Sequence, residues 1–75
     1  MNKQILKIAA ETMKVPIEVA ENNYKELPER NAFYFWNPVR GGIAVIVGAN
    51  GEKLGASSGI SFDQHLQAFV DGKRN

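Results

Sequence analysis

The sequence predicts a single small α+β domain of order α-β-β-β-β-α, an antiparallel sheet with both helices packed on one face. Three observations predict it. An apolar stripe at helical spacing opens the chain, β-favouring runs punctuated by Pro and Gly fill its middle, and a capped helical stripe closes it. The size agrees, because 75 residues, 44% hydrophobic and 23% charged, make one core-forming unit spanning 1–75 and not a disordered chain.

Asn2 is placed to cap the first helix, whose stripe is Ile5, Leu6, Ile8, Ala9, Thr12 and Met13. Pro16 disfavours helix at Val15, so this helix should stop near Met13 or Lys14. Val15, Ile17 and Val19 then alternate with Lys14, Pro16 and Glu18, which reads as a short edge strand, where Pro is tolerated. A second helix starting at Pro16 is the alternative reading. Asn22 to Arg30 is polar, contains Pro28 and reads as a loop. Phe33-Tyr34-Phe35-Trp36 is an aromatic strand stopped by Asn37-Pro38, and Ile43 to Val47 is a β-branched strand entered through Gly41-Gly42. Asn50-Gly51 separates that strand from Glu52 to Ala56 and is the sequence of a two-residue type I′ hairpin. Ser61 and Gln64 form a capping box before the stripe Phe62, Leu66, Phe69 and Val70. Gly72 suits the C′ position, with Lys73 and Arg74 at the negative end of the helix dipole.

A two-residue turn would pair Val47 with Leu54 and Val45 with Ala56. One sheet face would then carry Ile43, Val45, Val47, Leu54 and Ala56 as the core. The other would carry Ala44, Ile46, Gly48, Lys53, Gly55 and Ser57. Phe33 and Phe35 should point inward. Tyr34 and Trp36, whose polar tips want water or a partner, should point outward.

Several function classes are disfavoured. A net charge of +1 supplies no field for nucleic acid or an anionic membrane. With no Cys there is no disulfide framework, Cys-ligated zinc or thiol nucleophile, which fits a reducing compartment. The nearly apolar stretch from Gly41 to Ala49 is too short to span a bilayer, and Lys3, Lys7, Glu11 and Lys14 interrupt any signal-peptide pattern. The expectation is a soluble cytoplasmic domain. The glycines show neither GxxxxGK[ST] nor GxGxxG spacing, so Arg40-Gly41-Gly42 reads as a turn with an arginine. Ser57-Ser58-Gly59 before the capped helix reads as capping ahead of anion binding. His65 is the sole histidine, has no second ligand at metal-binding spacing and reads as a half-packed boundary residue. No cofactor, metal or catalytic residue is expected. Glu18, Glu21, Glu26 and Glu29 make the middle acidic, which suits a solvated surface or a charged rim for a basic partner.

From Phe33 to Phe69 the chain resembles a family of small bacterial α+β domains that includes immunity proteins of polymorphic toxin systems. The matching stretches are Phe33-Tyr34-Phe35-Trp36, Gly42 to Val47, Asn50-Gly51-Glu52, Leu54-Gly55-Ala56 and Phe62-Asp63-Gln64-His65-Leu66. The family pattern is an aromatic strand, a Gly-initiated apolar strand, a hairpin, a strand closing on Leu-Gly-Ala or Leu-Gly-Thr, and an acidic-aromatic helix. The resemblance implies a non-catalytic binder of one protein partner.

The expected function is therefore a non-enzymatic protein-interaction domain, with Tyr34, Trp36, Ile46, Arg40 and Glu29 as the partner-contacting residues. One alternative is a structural homodimer that buries the Tyr34/Trp36/Ile46 face against its own copy. Another, weaker, is nucleic-acid or anion binding through Lys3, Lys7, Arg40, Lys73 and Arg74.

Overall fold

Asn2 does cap the first helix. In the computed structural model, which describes residues 2–38, 42–57 and 59–75, its side chain accepts from the Gln4 N–H at 2.7 Å and α1 runs over Lys3–Met13. The helix ends with Lys14 in the left-handed region (φ 59), the Val15 N–H reaching back to the Ala10 carbonyl at 3.0 Å. The next residues differ from the expected edge strand. Pro16 is an N-cap and not a strand residue, and Ile17–Asn22 form a short second helix, α2. Proline's fixed φ suits a helix start, Glu18 favours the positive end of the helix dipole, and Ala20 is small enough to be wholly buried. The period-two pattern carries no strand, and Ile17 is left 47% exposed.

The expected loop holds the missing strand. β1 covers Tyr24–Leu27, a polar edge strand in which only Leu27 is buried, and a 3-10 turn over Pro28–Arg30 follows it. Its exposed Lys25 and Glu26 gave it no apolar signature. β2 is Ala32–Phe35, β3 Ile43–Gly48 and β4 Lys53–Ser57, and the sheet is an antiparallel meander in the order β1-β2-β3-β4. The fold is thus the α+β arrangement expected, with four antiparallel strands between helical ends. Gly41, before β3, lies outside the described residues.

The β3–β4 turn differs by one residue. Gly48 donates to the Glu52 carbonyl at 2.7 Å, so Ala49, Asn50 and Gly51 form a three-residue loop. Only Gly51 in it has positive φ (88°), as in a type I turn closed by a glycine bulge, and no type I′ turn forms. The pairs become Val47–Lys53, Ile46–Leu54, Val45–Gly55 and Ala44–Ala56. One residue of slip sends Leu54 and Ala56 to the face opposite that of Val45 and Val47.

The slip also gives both sheet faces apolar residues, and the helices do not share the one face expected. On one side, Ile5, Leu6, Ala9, Ala10 and Met13 of α1 and Ala20 of α2 pack on Phe35, Val45 and Val47. On the other, Phe69 packs with Leu27, Ala32 and Ile46, joined by Tyr34, Leu54, Phe62 and Leu66. The latter helix, α3 (Phe62–Val70), opens with the expected capping box between Ser61 and Gln64. It closes at Gly72, whose φ of 97° lets the Lys73 N–H return to the Ala68 carbonyl.

Gly51→Ala should cost about 1–2 kcal/mol, because a Cβ is strained at positive φ. Asn50→Ala, which needs no such conformation, should stay within about 0.5 kcal/mol. Urea melts check both, and equal losses would restore the two-residue turn. Phe69→Ala should cost roughly 3–5 kcal/mol and the half-buried Leu66→Ala about 2. Near-neutral melts would show that α3 is not docked on this face.

Candidate interaction surface

The aromatic run of β2 is divided by strand alternation. Phe35 is fully buried and Phe33 packs against the same core, while Tyr34 turns to the α3 side. Trp36 lies one residue past β2. Its N–H still donates to the Asn23 carbonyl at 3.1 Å, so the ladder fixes its backbone, yet 38% of the residue is exposed. Phe33 and Phe35 inward and Trp36 outward agree with the sequence reading, whereas Tyr34, expected outside, is half-buried because α3 covers that face.

Tyr34 is the hub of this surface. Its ring centroid lies 6.0 Å from that of Trp36, 4.7 Å edge-on from Phe62 and 5.8 Å from His65. Lys25, opposite Tyr34 in the β1–β2 register, holds its ammonium 5.0 Å from the centre of the Phe62 ring. Edge-to-face rings and a cation over a ring complement the aromatic quadrupole, so α3 is fastened to β1 and β2 by directional contacts as well as by burial. Neither Lys25 nor Phe62 stood out as a surface residue in the sequence. Lys25 fell in an apparent loop and Phe62 in a core stripe.

Ile46 is not part of an exposed patch. It is 0% exposed beneath α3, because a helix covers the sheet face on which it was expected to be free. Glu29 is exposed but sits in the 3-10 turn beyond the Leu27–Ala32 end of the sheet, away from the Tyr24–Phe35 end where Trp36 lies. Arg40 lies outside the described residues. The structure therefore brings Tyr34 and Trp36 together and keeps Ile46 and Glu29 apart from Trp36. The basic residues are not gathered either. Lys3 is in α1 and Lys7 beside it, on one side of the sheet, whereas Lys73 and Arg74 follow α3 on the other. Arg74 is engaged with Glu52 at 3.2 Å.

His65 is more deeply placed than a boundary residue. It is 2% exposed, and its Nε2–H donates to the Leu54 carbonyl at 2.6 Å, which sets the proton on that nitrogen and ties α3 to β4. Among the described residues no three His, Cys, Asp or Glu side chains converge as metal ligands. Two open hollows there are lined by residues of mixed charge, such as Glu29, Arg30 and Glu52.

These features define a class: a four-stranded antiparallel meander covered by helices on both faces, with one exposed tryptophan at a sheet end. No family model, curated protein or solved structure matches the chain. No helix among the described residues is long and apolar enough to cross a membrane.

His65→Phe keeps the ring and removes the side-chain donor that ties α3 to β4, while the Leu54 carbonyl keeps its ladder partner in β3. It should destabilise by about 0.5–1.5 kcal/mol in urea melts. A neutral result would show that the hydrogen bond contributes nothing to α3 docking.

Proposed function

We propose that this chain is a non-enzymatic, cytoplasmic protein-interaction domain whose partner contacts Trp36 and the accessible part of Tyr34. The observation that carries the reading is the 38% exposure of Trp36 on a backbone position fixed by the β ladder. A large, rigid aromatic presented in this way loses little conformational freedom on binding, and tryptophan and tyrosine dominate interface energetics. The buried Ile46 drops out of the contact set. Arg40 stays in the proposed set only as a charged residue of the sequence, and Glu29 would contribute only to a partner long enough to span the sheet.

The non-enzymatic part of the reading draws support from His65. As the only histidine, it is buried and committed to a structural hydrogen bond, so it is poorly placed for proton transfer. A chain without cysteine suits the reducing cytoplasm. An immunity-type role rests on the resemblance of residues 33–69 alone. The homodimer alternative would use the same Trp36 surface in a two-fold contact. Anion or nucleic-acid binding is the weaker alternative, since Lys3 and Lys7 belong to the helix on one side of the sheet and Lys73 and Arg74 follow the helix on the other.

Trp36→Ala should lower affinity for the partner by about 2 kcal/mol or more. Its melt should stay within about 1 kcal/mol of the parent, since the side chain sits outside both buried clusters. The partner is recovered by comparative pull-down from source cells with parent and variant, then purified and titrated against each. Sedimentation of the same pair reads the homodimer alternative. A variant that melts several kcal/mol lower with association unchanged would make the aromatic surface structural.

A further inference from the structure

Among the described residues β4 is a terminal strand of the sheet, with β3 as its only ladder neighbour. Gly48 and Glu52 form a hydrogen-bonded pair, so by the alternation of an antiparallel ladder Leu54 and Ala56 turn their backbone groups toward β3. Lys53, Gly55 and Ser57 turn theirs outward. Such a row is a template for another strand.

The end of the chain covers this row. Asn75 Oδ1 accepts from the Gly55 N–H at 2.9 Å, and Asn75 Nδ2 donates to the Gly55 carbonyl at 3.3 Å. The Asn75 N–H donates to the Lys53 carbonyl at 3.0 Å, and Lys53 Nζ donates to the Asn75 carbonyl at 2.8 Å. The side-chain amide of Asn75 thus stands in for a peptide group facing Gly55, since it carries both a donor and an acceptor. Arg74 anchors the segment. Its guanidinium lies 3.7 Å from the centre of the Phe69 ring, donates to the Phe69 carbonyl at 2.7 Å and pairs with Glu52.

We infer that residues 73–75 are a removable cap over a self-pairing edge, and that the partner this edge fits once the cap lifts is β4 of a second copy. Two-fold antiparallel pairing centred on Gly55 sets Gly55 against Gly55, Lys53 against the second copy's Ser57, and Leu54 against the second copy's Ala56. Every outward group of the strand then finds a partner. No like charges are opposed, and Leu54 and Ala56 continue the apolar face that α3 covers. The other sheet edge fails the same test. In β1 the outward residues are Tyr24 and Glu26, and the register that pairs both sets Lys25 against Lys25. The cap and a second copy need the same Gly55 and Lys53 groups, so capped monomer and edge-paired dimer exclude each other. This surface is separate from the Trp36 surface and does not depend on it.

The variant Asn75→Pro removes both the amide side chain and the backbone N–H without touching either core. Sedimentation equilibrium compares it with the parent, and with Asn75→Pro combined with Ser57→Lys or with Ser57→Glu, after melts confirm that each is folded. Asn75→Pro should self-associate about tenfold more tightly than the parent, because three competing hydrogen bonds are gone. Its mass should move toward twice the single-chain 8.3 kDa. Ser57→Lys, facing Lys53 of the second copy at both ends, should weaken the dimer, and Ser57→Glu should strengthen it. Asn75→Pro that sediments as the parent does overturns the inference. So does a dimer indifferent to the charge at position 57, which would assign the contact to another surface such as Trp36.

Discussion

Gly51 adds one residue to the β3–β4 loop, and that residue decides what each face of the sheet presents. With Val47 opposite Lys53 and Ile46 opposite Leu54, β3 and β4 divide their apolar side chains between the two faces. Val45 and Val47 go to α1, and Ile46, Leu54 and Ala56 go to the α3 side. A strand has a period of two, so no smaller change of register could achieve this, and no larger one is needed. Only a residue free to adopt φ near 88° closes such a bulge without strain, which is why the loop ends in glycine. Loop and helices are set together, because each helix needs an apolar surface to cover and this register supplies one on each face.

Two thin cores instead of one place special demands on α3. It has nine residues, too few for a stable isolated helix, so its structure depends on its caps and its docking. The capping box satisfies the first turn and the Gly72 closure the last. Between them, His65 bonds to β4, Phe62 meets Tyr34 edge-on, and Lys25 sits over the Phe62 ring. These contacts are directional, and each ties the helix to a different strand. The histidine and the tyrosine that a search for function would single out are partly consumed in holding the fold.

Trp36 remains as the large aromatic with the most to offer a partner, and its exposure has a structural cause. β2 ends at Phe35, and the helix that covers the rest of this face starts over Tyr34, so the ring beyond it is left uncovered. The sheet edges are managed separately. β1 is short, polar and charged, which discourages pairing. β4 carries glycine and alanine at its centre and is covered by the chain's own Asn75.

The sequence by itself determined the elements whose signals are local. Asn2 and Ser61 as caps, Gly72 as a helix end, the apolar stripes of α1 and α3, and the inward Phe33/Phe35 against the outward Trp36 all follow from the chemistry of a few adjacent residues. Four antiparallel strands between helical ends were legible as well, although one strand was assigned to the wrong residues. Val15, Ile17 and Val19 mimic a strand over too few positions to outweigh a proline that starts a helix, and Tyr24–Leu27 has no apolar pattern because both its side chains and its edge meet water. The tertiary structure alone decided register and layering. Asn50-Gly51 is compatible with a two-residue or a three-residue loop, and the choice depends on whether Leu54 gains more beside Val47 or beside Ile46. That comparison depends on α3, which docks from further along the chain, so no local pattern holds the answer. For the same reason Ile46 and His65 read as surface and boundary residues until a helix is laid over them, because burial is a property of what covers a side chain.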